Sequence, residues 1–156
     1  SSNTHLPFMC LIEALPQSWL NRNLCLSCTC TCLDENAWRK FTRTEARRIK
    51  KFLELPEQAG LEGLEKALAI RFSALSNPSV SLFKEGDSLI YRINECRVQT
   101  ARKNKGMPFH PCASPGFIEH DGFARVIDER IVTEMISCYP NVTDPECACC
   151  WKFTLR

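Results

Sequence analysis

No apolar run in this sequence approaches the ~20 residues that a membrane-spanning helix needs, and no basic stretch leads into an apolar core as a secretory leader does. A membrane protein is disfavoured, and a cytoplasmic location is the expectation. An excess of charge of one sign is also missing. The 20 basic and 18 acidic residues leave a net charge of +2, too little to imply nucleic-acid binding from composition. Glycine is scarce, at 6 residues, and no phosphate-cradling loop, dinucleotide fingerprint or Ser/His/Asp arrangement is present. Repeats, low-complexity tracts and linkers are absent too. A chain of 156 residues, 44% of them hydrophobic, can build one real core, so a single domain over 1–156 is expected. Its 1–78 part reads as mainly helical and its 79–156 part as a sheet carrying a metal site.

Cysteine, in contrast, is plentiful, with 11 residues. Cys25, Cys28, Cys30 and Cys32 form one cluster, and Cys147, Cys149 and Cys150 another. An odd count without a leader argues against a secreted disulfide framework, whereas clustered thiols in a reducing compartment bind metal or do redox chemistry. The competing reading is that they are small buried apolar residues. The first cluster pairs a Cys-x-x-Cys step with strict alternation, so a strand there would not bring all four to one rigid site. A second zinc, a labile thiol group and a redox pair are open readings of it.

From Asp34 to Leu53, Trp38, Phe41, Ile49, Phe52 and Leu53 recur at helical spacing, with Asp34 as N-cap and Leu55-Pro56 as a stop. The other face, from Arg39 to Lys51, is basic: a solvated face, or a seat for an anionic ligand. A second helix is read from Leu61 to Leu75, ending before Asn77-Pro78. The period then changes to that of strands at Val80–Phe83 and Leu89–Ile93, joined across Glu85-Gly86-Asp87. A basic helix from Arg97 to Lys105 and a helix opened by Ser114-Pro115 and running toward Ile127 follow. Two strands close the chain. Alternation places Val132, Glu134, Ile136 and Cys138 on one face of the first, and Cys149, Trp151, Phe153 and Leu155 on one face of the second. The fold class is therefore α+β: an antiparallel sheet of two hairpins covered by helices, with an N-terminal helical segment.

Zinc takes about four thiolate, imidazole or carboxylate ligands at tetrahedral corners. The closing hairpin can offer Glu134, Cys138 and Cys149, and Cys112 precedes the helix over them. Cys96, at the end of a neighbouring strand, competes for the fourth place. A closed set is structural; an open position admits water or substrate. Cys96, Cys112, Cys138 and Cys149 together would equally suit an iron–sulfur cluster. His110, two residues before Cys112, reads as a loop residue, a ligand or a general base. His120 falls in the following helix and His5 near the start of the chain.

Several segments carry a family resemblance: Trp38-Arg39-Lys40-Phe41, Glu45-Ala46-Arg47-Arg48-Ile49-Lys50-Lys51, Gly60-Leu61-Glu62-Gly63-Leu64-Glu65-Lys66, Cys96-Arg97-Val98-Gln99, Ala101-Arg102-Lys103 and Cys149-Cys150-Trp151-Lys152-Phe153. From about Trp38 to the end the chain resembles an uncharacterised family of small prokaryotic cytosolic proteins, which carries no assigned activity. That family's pattern has another cysteine at the position of Met135 and a longer helical segment where this chain has Cys25 to Cys32. More remotely, the order of Cys112, a glycine-containing helix, Glu134, Cys138 and a final cysteine before an aromatic strand resembles the four-vinyl-reductase-like domain. That resemblance implies zinc on Cys112, Glu134, Cys138 and Cys149, and a small-molecule pocket or sensor role.

The expected function is a cytosolic zinc protein that binds a small molecule between helices and sheet, near Phe109, Phe117, Phe123, Tyr91 and Trp151, residues that otherwise serve as core. One rival is an iron–sulfur electron-transfer or redox-sensing protein. Another is a hydrolase of a small cyclic amide or thiazoline, suggested by a distant family likeness, using metal-bound water or a thiolate with His110. A homodimer through the helical face, and an acidic protein or carboxylate partner on the basic faces, fit the charge pattern. Nucleic acid is disfavoured, because no aromatics interleave the basic residues.

Overall fold

The computed structural model describes residues 29–156, with side chains from Glu35 onward. It opens with α1 (Thr29–Phe52). Thr42 and Ala46 are buried on one face, and Ile49 and Leu53 pack beside them, the spacing that turns a helix stripe inward. This helix begins earlier than expected: Asp34 lies inside it, and Cys30 and Cys32 are helical rather than extended. Cys25 and Cys28 lie outside the described residues. The helix stops where Glu54 adopts a positive φ of 53° and Leu55 N–H returns to the Lys50 carbonyl at 3.0 Å, a closing turn followed by Pro56.

The single helix expected from Leu61 to Leu75 is instead two, α2 (Gly60–Ala69) and α3 (Phe72–Ser76). Arg71 between them is extended, with φ −73° and ψ 160°. Its side chain is fully buried, and the helix is interrupted so that the guanidinium can reach acids on other elements. Strands β1 (Ser79–Glu85) and β2 (Ser88–Glu95) follow as a hairpin, then α4 (Arg97–Asn104), α5 (Ala113–Ile127), β3 (Ile131–Cys138) and β4 (Cys149–Leu155).

The four strands form one antiparallel sheet in the order β1-β2-β4-β3. The fold is α+β, as expected. Leu89, Tyr91 and Ile93 of β2 and Cys149, Trp151 and Phe153 of β4 face the helices and join the buried face of α5, which includes Phe123, Ala124 and Ile127. Close approach of α5 needs small residues. A Cβ on Gly116 would stand 2.9 Å from the Trp151 ring, and one on Gly122 3.1 Å from Thr42 Cγ2.

One expected face is corrected. Pairing runs Thr133↔Phe153, Glu134↔Lys152 and Met135↔Trp151, then shifts to Ser137↔Cys150 and Cys138↔Cys149. The irregularity between Met135 and Ser137 inserts one residue, and a single insertion exchanges inward for outward positions along the rest of a strand. Glu134 is consequently exposed on the outer face, while Cys138 is buried on the inner one.

The end of α5 is fixed by Asp128, which accepts hydrogen bonds from Gly60 N–H at 2.9 Å and from Arg130 Nε and Nη2 at 3.0 and 2.8 Å. The Arg130 guanidinium holds its carboxyl well below the usual carboxylate range despite burial. Removing this acceptor leaves donors unpaired at the junction of α2, α5 and β3. Asp128→Ala is expected to cost about 2–4 kcal/mol, measured by urea unfolding.

Candidate functional site

The cross-sheet row Ile93, Cys149, Cys138 lies at the end of the sheet where β2 runs out. Cys138 and Cys149 are buried neighbours on β3 and β4, and their thiols are hydrogen-bonded. Cys96 follows β2 directly and caps α4, and Cys112 caps α5. Both pack, half-buried, against the same core cluster. Ala113 N–H binds the Tyr139 carbonyl at 3.0 Å, tying the start of α5 to the residue after Cys138. Thus the four cysteines gather at one end of the sheet from β2, α5, β3 and β4.

The Cys149 thiol is pushed well up, first by its hydrogen bond with Cys138, then by burial and by the charge a Cys138 thiolate would carry. Burial also raises Cys96, against the pull of the Gln99 and Val98 backbone amides, with a further contribution from Cys149. Two adjacent thiolates without a cation are therefore costly, and a soft cation removes that cost. All-sulfur donors suit zinc or an iron–sulfur cluster. Among the described residues, no three His, Cys, Asp or Glu side chains form a ready-made cation cage.

Glu134, the carboxylate ligand implied by resemblance, is not brought to this corner; it lies on the opposite face beside Lys152. His110 is brought there. Its Nδ1 is 3.3 Å from Cys112 Sγ, and Gln99 fixes the segment by donating to the His110 carbonyl and accepting from its N–H, each at 2.9 Å. Gln99 Nε2–H also points to Cys112 Sγ at 3.4 Å. Of the aromatics, Tyr91, Phe123 and Trp151 are wholly buried core, whereas Phe109 and Phe117 stand at the surface. A cleft of about 500 Å³ opens between α1 and α5, lined by Arg47, Lys50, Lys51 and Arg125 together with Glu54, Glu57 and Glu129.

Sequence reasoning missed a second polar group in the interior. Arg71 Nη2 pairs with Glu119 Oε1 of α5 at 2.7 Å and with Glu45 Oε2 of α1 at 3.3 Å, and the guanidinium lies 4.4 Å over the Phe123 ring. The cue was available: a lone arginine between Ile70 and Phe72, inside an otherwise apolar run. His120 stacks on Trp151 at 4.5 Å and lies 5.5 Å from the Tyr91 ring. Its Nδ1–H donates to the Gly116 carbonyl at 2.9 Å, which leaves Nε2 as the unprotonated nitrogen. Tyr91 and Ser73 hydroxyls are hydrogen-bonded at 3.0 Å, and burial pushes the phenol up to about 12.

Burial, and then the Arg71 charge, hold His120 well below its ordinary value of 6.5. Above that pH both folded and unfolded chains carry a neutral imidazole. Below it the unfolded chain takes a proton that the folded chain refuses, so stability falls as pH falls. Urea unfolding between pH 6.5 and pH 5 should show a loss approaching about 1.4 kcal/mol per unit, and His120→Gln should flatten that slope.

No helix among the described residues is long and apolar enough to cross a membrane. No curated protein and no solved structure matches the chain. A family model does match, over residues 21–155, and the chain accordingly belongs to the family of unknown function DUF6125.

Proposed function

We propose that this is a cytosolic zinc-holding, small-molecule-binding or sensor-like protein, remotely related to the four-vinyl-reductase-like domain, with Cys96, Cys112, Cys138 and Cys149 as the metal ligands. The observation that supports it is the placement of these four cysteines at one end of the sheet, with Cys138 and Cys149 as cross-strand partners and Cys96 and Cys112 at the starts of α4 and α5. Relative to the expected set, Cys96 replaces Glu134, because Glu134 faces outward opposite Lys152 and the irregularity after it returns Cys138 alone to the inner face. Bound zinc would supply a crosslink that β2, β3, β4 and α5 share. The chain's own part is to present sulfur: β3 and β4 offer a cross-strand pair, and the caps of α4 and α5 bring the other two. For the small molecule, the cleft between α1 and α5 carries four cations beside three acids; Lys50 and Arg125 are already paired, so Arg47 and Lys51 are the cations that would meet a carboxylate ligand.

The test is anaerobic purification followed by a visible spectrum and elemental analysis, repeated on Cys138→Ala and Cys149→Ala. About one colourless zinc per chain, lost in both variants, is expected. Brown absorbance with iron and sulfide would move the assignment to an iron–sulfur redox protein, and absence of metal from the wild type would refute both.

A second reading rests on the 3.3 Å approach of His110 Nδ1 to Cys112 Sγ. A thiol beside an imidazole, at the cap of a 15-residue helix, is the arrangement that activates a cysteine nucleophile. In this reading Cys112 sulfur, oriented by the Gln99 amide, attacks the carbonyl of a small cyclic amide-like substrate. His110 takes the thiol proton and passes it to the ring nitrogen as the C–N bond breaks, and water then cleaves the thioester to free Cys112 and the carboxylic acid. Iodoacetamide labelling at neutral pH should then modify Cys112 at least ~10-fold faster than Cys138, and His110→Ala should remove most of the difference. Equal labelling rates would discard the nucleophile.

A further inference from the structure

The second cysteine cluster divides across the sheet. Cys149 faces the helices, but Cys147 and Cys150 lie on the outer face, where they share a small apolar cluster with Ile90. Cys150 pairs with Arg92 of β2 on one side and Ser137 of β3 on the other. Cys147 belongs to the connection that leads into β4, and its thiol points toward the Asp144 carbonyl at 3.7 Å. The Arg92 guanidinium is anchored by Asp144 Oδ2 at 2.9 Å, and its charge is felt by both thiols. Two buried thiols and one tethered guanidinium thus meet on the outer face of the sheet, across it from Cys138 and Cys149.

The spacing is Cys-x-x-Cys, and here the backbone makes it usable. In a fully extended strand, residues three apart stand about 10 Å apart at Cα, too far for a disulfide, which needs about 4.4–6.8 Å. The chain instead bends at Cys147 and Ala148, and the Ala148 amide is fixed to the Ile93 carbonyl at 2.9 Å. The bend shortens that separation and turns Cys147 to the face that Cys150 occupies. The loop to be closed is also very short, so little chain entropy opposes closure.

We propose that Cys147 and Cys150 form a dithiol–disulfide couple that exchanges with low-molecular-weight disulfides. Cys147 sulfur attacks one sulfur of the small disulfide; the S–S bond breaks, and one small thiol leaves with the proton that Cys147 gives up. Cys150 sulfur then attacks the Cys147 sulfur of this mixed disulfide and expels the second small thiol, which takes the Cys150 proton. The two protein thiols are oxidised by two electrons, and the small disulfide is reduced to two thiols. Arg92, held in place by Asp144, stands as the cation beside the pair. Metal on the inner cysteines is not required, so the proposal stands apart from the zinc reading.

The test is incubation of the full chain with excess glutathione disulfide, alkylation of free thiols and intact mass analysis, alongside Cys147→Ser and Cys150→Ser. Loss of two hydrogens from the wild type, with one glutathione adduct instead in each serine variant, is expected. Persistence of the two-hydrogen loss in either variant would assign the bond to another pair and overturn the proposal. An unchanged wild type, or a wild type carrying only stable glutathione adducts, would overturn it as well, whether or not the protein holds metal.

Discussion

A fully buried arginine ties the helical layer together. Arg71 joins α1 through Glu45 and α5 through Glu119 from a break between two helices. A charge taken out of water is tolerated only when opposite charges and hydrogen bonds surround it. That demand is met in part: Nη2 reaches both acids, while Nε and Nη1 are buried without a hydrogen-bond partner among the described residues, and Thr42 of α1 holds α5 nearby by donating to the Glu119 carbonyl at 2.8 Å. Burial is the main cause that shifts His120 and Tyr91, and the Arg71 charge adds to it at His120 and opposes it at Tyr91.

On this frame the sheet presents sulfur in two directions. The inner row carries Cys138 and Cys149 toward α5, and the outer face carries Cys147 and Cys150 toward Arg92. Strand alternation alone separates Cys149 from Cys150. The extra residue in β3 then returns Cys138 to the inner face after Glu134 has pointed outward. Thiols that are adjacent in sequence therefore experience different surroundings, burial beside another thiol inside and burial beside a cation outside. Cys147 is pushed up to about 11 by burial and then by the Asp144 carboxylate, which together outweigh the lowering by Arg92.

The α5 helix links these layers. Its N-terminal cap supplies Cys112, its middle supplies Glu119 to the buried arginine and His120 to the Trp151 stack, and its C-terminal carbonyls at Val126 and Ile127 accept from Lys50. Lys50 belongs to the basic face of α1, and here a cation satisfies the carbonyls left over at a helix end. Gly116 permits the contact with Trp151 that holds α5 against β4.

Periodicity by itself determined the elements: helical spacing identified α1 and α5, alternation identified all four strands, and glycine at Gly86 marked the first hairpin. These signals are local, because the side chains that alternate or recur lie within one element. The sequence also pointed to Cys112, Glu134, Cys138 and Cys149 as one ligand set, with Cys96 as the competitor for the fourth place. Tertiary structure decided that Glu134 and Cys138 face opposite ways, which depends on one inserted residue in a strand register, and the break at Arg71, which depends on acids 26 and 48 residues away. It also decided that His110 meets Cys112 and that Arg92 meets Cys147. Register shifts and long-range charge pairing leave no periodic trace in the chain, since their energy is realised only when distant elements are packed together.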